Sequence, residues 1–147
     1  MNNKGFTVVE LLTSFTLTMI IMIFLFEIVL QVKDIYINST LKTKVLTQNA
    51  IVASTIHDKL KGANIAYCED NVSCIVEFPS GRDISIRIDD KNIIIDNQII
   101  EYPKNINSID SNLEAYNDGI NSYLKVKYTI KSNFLNEEIP FNYVESF

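Results

Sequence analysis

Between Phe6 and Lys61 the sequence contains neither glycine nor proline, so nothing interrupts a helix for 56 residues. The first part of that stretch is more restrictive still. Leu11 to Phe26, LLTSFTLTMIIMIFLF, carries no ionisable side chain. Tolerating Glu10 and Glu27 extends the apolar run over residues 6–32, and at about 1.5 Å per residue those positions are long enough to cross a bilayer core. No other part of the chain is apolar enough to do so. A secretory signal also begins with a cation and an apolar core, but it ends in a small-residue cleavage site. Between Phe15 and Leu30 the only non-apolar residues are Thr16, Thr18 and Glu27, so the segment is expected to be retained.

Beyond Val32 the pattern becomes amphipathic. Ile37, Leu41, Val45, Val52, Ile56, Leu60 and Ala63 are spaced by three, four or seven, which places them on one face of a helix over residues 33–62. Lys59 and Lys61 in the last turn suit the negative end of the helix dipole, and Gly62 suits a left-handed cap. One helix thus has a membrane half and an amphipathic half.

After Gly62 the period changes to that of strands. Val72 to Phe78 reads as a strand, Ile84, Ile86 and Ile88 alternate on one face of another, and Asp89 to Asn92 turns the chain into Ile93 to Ile95. A polar step leads into Ile99 to Tyr102. Later, Leu124, Val126, Tyr128 and Ile130 share one face of a strand, and a last short strand is expected around Phe141 to Val144. Asn105 to Gly119, rich in Asn, Asp and Ser, reads as a long loop. A helix followed by strands with turn-length connections indicates an α+β fold. Its head, residues 63–147, is an antiparallel β-sheet covered on one face by the apolar stripe of the helix.

The charge is unevenly placed. Residues 33–61 hold five basic and two acidic side chains, a net of +3, whereas residues 62–147 hold seven basic and fourteen acidic, a net of −7. An acidic head gives no support for nucleic-acid binding, which is driven by clustered Lys and Arg. Cys68 and Cys74 are the only cysteines, and in a domain outside the cytoplasmic membrane they are most simply a local disulfide. Metal binding needs more ligands nearby, and the single histidine, His57, lies upstream on the helix. Asp89-Asp90 and Glu137-Glu138 read as solvated turn residues. No Ser/His/Asp group, glycine-rich phosphate loop or metal-spaced cluster appears, so no enzyme activity and no cofactor is expected.

Lys4-Gly5-Phe6-Thr7-Val8-Val9-Glu10-Leu11-Leu12 ahead of an apolar helix resembles the N-terminal motif of type IV prepilins and of the pseudopilins of secretion and DNA-uptake machines. The likeness extends to the layout of a long helix followed by a head, although the head sequence names no subfamily. The resemblance implies that residues 1–5 are a leader, that a prepilin peptidase cuts between Gly5 and Phe6, and that the new amino group on Phe6 is methylated. A glycine before the cut lets the backbone enter a confined site, and Lys4 suits the cytoplasmic side. The resemblance also implies a pilin-like, minor structural subunit of a type IV pilus or pseudopilus. Such a subunit is held in the bacterial cytoplasmic membrane by one span with its head outside, then passes into a surface or periplasmic filament. Its partners would be other subunits, the peptidase and a membrane assembly platform.

In the same terms Glu10 is the family's glutamate, paired with the amino group on Phe6 of a neighbouring subunit. A carboxylate near the bilayer interior costs on the order of 3 kcal/mol on insertion scales, so a partner gained on assembly would favour the filament. The plainer alternative is an acid that snorkels to the interface. Glu27, at the opposite interface, stands where many members have proline, which puts a kink there in doubt. Thr13, Ser14, Thr16 and Thr18 either bend the helix through hydroxyl bonds to preceding carbonyls or simply pack. Two rival functions remain: a single-pass anchored binding module outside any filament, whose Gly5 would stay uncut, and a tethered enzyme, for which no reactive group is found.

Overall fold

In a computed structural model of the chain, which describes residues 7–119 and 121–147, the stretch free of glycine and proline forms one helix, α1, Val8–Leu60. Its end is the one expected. Gly62 adopts a positive φ of 83°, and the Ala63 amide donates to the Leu60 carbonyl at 3.0 Å, closing the last turn.

The chain divides into two compact units, residues 1–37 and 38–147. The described part of the first unit is helical throughout beyond Thr7, and its large apolar side chains from Val8 to Val32 are 46–79% exposed. A helix that buries none of these side chains on its own chain is apolar in every direction, as a membrane span is. By length and composition α1 contains one segment able to cross a membrane.

The second unit holds the rest of α1 and eight strands, all paired antiparallel. The strands are β1 Ile65–Cys68, β2 Ser73–Glu77, β3 Asp83–Ile88, β4 Asn92–Ile95, β5 Gln98–Glu101, β6 Ser108–Asn117, β7 Ser122–Lys131 and β8 Ile139–Ser146. They form two sheets, a five-stranded one in the order β1-β2-β3-β4-β5 and a three-stranded one in the order β6-β7-β8. The sequence pattern anticipated one sheet and missed β1. With only Ala66 and Cys68 turned towards the core, its four residues carry almost no periodic signal.

The stretch read as a long loop, Asn105 to Gly119, instead contains the ten-residue strand β6, paired along its whole length with β7. Of the alternate positions 109, 111, 113 and 115, only Ile109 and Leu113 are buried, whereas Ser111 and Ala115 are small and half-buried. The apolar period of two is therefore diluted to four. Pairing with a strongly alternating neighbour decides the conformation that β6's own residues leave open. The other edge of β6 donates to loop carbonyls of the five-stranded sheet: the Leu113 amide to Asn71 O and the Ile109 amide to Asp90 O, each at 2.9 Å.

Apolar side chains from the inner faces of both sheets meet the stripe of α1 made by Leu41, Val45, Val52, Ile56 and Leu60. The turn between β4 and β5 consists of Asp96 and Asn97, with φ of 49° and 65°. Two consecutive left-handed residues make the tight hairpin that matches strand twist.

Candidate functional site

The residues singled out at the N-terminus fall into two sets. Gly5 and Phe6, assigned to cleavage and methylation, lie outside the described residues, as does the rest of the leader. Glu10 is described, and it sits in the first turn of α1. Its Oε2 accepts the Thr7 amide at 2.9 Å and the Thr7 hydroxyl at 3.0 Å, while the Glu10 amide donates back to Thr7 Oγ1 at 3.3 Å. This is a reciprocal capping box, in which a threonine just before the helix and a glutamate three residues on satisfy each other's amides. The sequence carries that signature as Thr7-Val8-Val9-Glu10, although the sequence reading of Glu10 rests on its charge alone.

The cap gives Glu10 a partner within its own chain. The amides of a helix's first turn have no helical acceptor, and in a bilayer no water substitutes. The hydroxyls further along are handled the same way. Thr13 donates to Glu10 O at 3.0 Å, Thr16 to Leu12 O at 2.8 Å and Thr18 to Ser14 O at 2.8 Å. These three threonine hydroxyls are thereby turned onto the backbone of the same helix.

In the second unit Cys68 and Cys74 form a disulfide, and they are register partners of the antiparallel pair β1–β2. The bond therefore closes a hairpin that backbone pairing already aligns. His57 contacts Glu145 Oε1 through Nδ1 at 3.1 Å, Lys42 pairs with Glu137, and Asp89 accepts from Arg87 Nε at 3.0 Å. Each of these sequence-flagged polar residues thus has an ordinary surface partner. Among the described residues no group of three or more His, Cys, Asp or Glu side chains gathers to hold a metal.

Two polar clusters were not foreseen. Asp96, at the β4–β5 turn, accepts Lys59 Nζ at 3.0 Å and Arg82 Nη2 at 2.7 Å. The bond from Lys59 holds its carboxyl below the usual aspartate range, partial burial opposes this, and Arg82 adds to the lowering. The second cluster lies inside the core. Tyr102 and Tyr128 both donate to Asn49 Oδ1, at 2.6 and 2.9 Å, and the two hydroxyl oxygens are 2.7 Å apart. Burial pushes Tyr102 up to about 12 and Tyr128 higher still. Asn49 stands at the place in the stripe where the spacing jumps from Val45 to Val52, and that gap was the one sign of it in the sequence. Beside Tyr102, a cleft of about 460 Å³ opens between Thr43 to Gln48 on α1 and Glu101 to Lys104.

The chain matches no family model, no curated protein and no solved structure.

Proposed function

We propose that the chain is a pilin-like structural subunit of a type IV pilus or related pseudopilus, held in the bacterial cytoplasmic membrane by α1 before it enters the filament. The observation that carries the reading is the conjunction of Lys4-Gly5-Phe6 and Glu10 with a helix start whose apolar side chains are exposed all round. Such a surface suits lipid before assembly and neighbouring helices afterwards. The prepilin peptidase would cut between Gly5 and Phe6, Phe6 would be methylated, and the head would face outward, where Cys68–Cys74 can persist. Its partners are other subunits, the peptidase and a membrane platform.

The capping box favours a second role for Glu10, as the cap of its own helix, and this would operate equally in an anchored binding module that never joins a filament. The substitution Glu10→Gln separates the two. Glutamine serves in a capping box as glutamate does, so the helix start is kept while the charge is lost. In filament assembly the processed Glu10→Gln subunit is expected to fall at least about tenfold in the sheared-filament fraction, with processing unchanged, if the charge pair is worth more than about 1.4 kcal/mol. Mass spectrometry of the membrane-extracted protein reads the N-terminus in the same samples. Equal incorporation of the glutamine variant removes the assembly role from Glu10, and an intact Met1 in cells with active peptidase removes the reading as a whole.

A further inference from the structure

The buried triad Asn49, Tyr102 and Tyr128 is fully paired, and Asn49 is the one polar residue of α1 buried with the core stripe. Its three members come from three places: the middle of the head portion of α1, the residue that follows β5 of the first sheet, and the middle of β7 in the second. The downstream end of α1 is held independently. Leu60 runs through the Gly62 turn into β1, and Lys59 is tied to Asp96. Asn49 lies eleven residues before Leu60, about 16 Å along the helix, where no turn or loop joins α1 to either sheet.

Apolar contacts alone define that upstream seat loosely. Leu41 and Val45 present aliphatic surface to aliphatic surface, which tolerates rolling of the helix about its axis, since dispersion and burial have little directionality. The Lys42–Glu137 pair is exposed, and exposed pairs contribute little to holding a geometry. A buried hydrogen bond differs in kind: any roll that moves Asn49 Oδ1 off the two hydroxyls leaves the amide oxygen and one hydroxyl proton unpaired in the core, since the hydroxyls can then share only one bond between them.

We infer that Asn49 is a latch that fixes the upstream part of the head helix in one orientation against both sheets at once. It selects among seatings that the apolar stripe would otherwise accept. Removing Asn49 alone would leave the two hydroxyls sharing one bond and one hydroxyl proton without an acceptor, so the informative variant removes all three polar groups together. Asn49→Leu combined with Tyr102→Phe and Tyr128→Phe keeps volume and leaves nothing buried without a partner.

The readout is zero-length carbodiimide coupling of the full-length protein in membranes or detergent, followed by peptide mass spectrometry. It joins Lys59 to Asp96 near the anchored end and Lys42 to Glu137 at the latched end. In the parent both cross-links are expected. In the triple variant Lys59–Asp96 is expected at parental yield, while Lys42–Glu137 drops threefold or more and neighbouring lysines such as Lys44 acquire new partners. Both cross-links at parental yield would overturn the latch. So would a variant that fails to fold, because the triad would then supply stability rather than selection.

Discussion

The two regions of α1 are built from one unbroken helix but have opposite relations to their surroundings. From Val8 to Val32 the helix is apolar on every side and buries none of its large apolar side chains on its own chain, whereas from Leu41 to Leu60 it is apolar on one stripe and buries that stripe completely. The richer apolar content therefore belongs to the part with no core. Periodicity, and not hydrophobicity, tells which part folds against the rest of the chain, because a sheet face can cover one side of a helix only.

The sharpest way to break this comparison is to delete the same atoms in each region. Ile56→Ala leaves a cavity against both sheets and is expected to lower the unfolding free energy of the head by about 2–5 kcal/mol. Ile21→Ala, on the exposed run, is expected to leave it unchanged. Denaturant unfolding of the full-length protein in detergent, followed by a signal from the head, measures both. Equal losses would mean that the first region shares the core.

A smaller effect is expected from the disulfide, which belongs wholly to the second region. Reduction of Cys68–Cys74 should cost about 2–3 kcal/mol of head stability on chain-entropy grounds, because the closed loop is short. The helical signal of the first region should not change. Unfolding with and without reductant checks this, and a loss of helix in the first region on reduction would contradict the division.

The smallest effect concerns Asp96, where the downstream end of α1 meets the β4–β5 turn. Its carboxyl is held below the ordinary aspartate value, first by the bond from Lys59. A depressed folded value means that the stabilisation is present above the unfolded value, near 3.8, and is lost as pH falls through the folded one. Melting followed from pH 7 downward should therefore show the parent losing stability below about pH 4 by more than Asp96→Asn does. Parallel curves would mean that Lys59 and Arg82 do not favour the charged form.

The helix was legible in the sequence because its signals are local: no breaker from Phe6 to Lys61, a stripe at three and four, and Gly62 at the end. The isoleucine strands β3 and β4, and the alternating β7, were legible for the same reason. β6 was not, since Ser111 and Ala115 weaken its period and the information that makes it a strand is in β7. At the candidate site Glu10 stands out in the sequence by its charge, whereas Thr7 has meaning only together with it, as the other end of one four-residue capping motif. Asn49 was hidden for a different reason. A lone amide in a stripe has no meaning until its acceptor finds Tyr102 and Tyr128, which are 53 and 79 residues away.

The position of the disulfide has a consequence for the order of events. Cys68 and Cys74 are six residues apart, close enough for their sulfurs to meet in an unfolded chain, since a loop of about ten residues closes within 10–100 ns. Oxidation need not wait for either sheet. Because the two cysteines are also register partners, whichever chain oxidises first has already fixed the alignment of β1 with β2. A bond formed that early would serve as a template for the β1–β2 hairpin, and the short strand β1 would start out tethered to its neighbour.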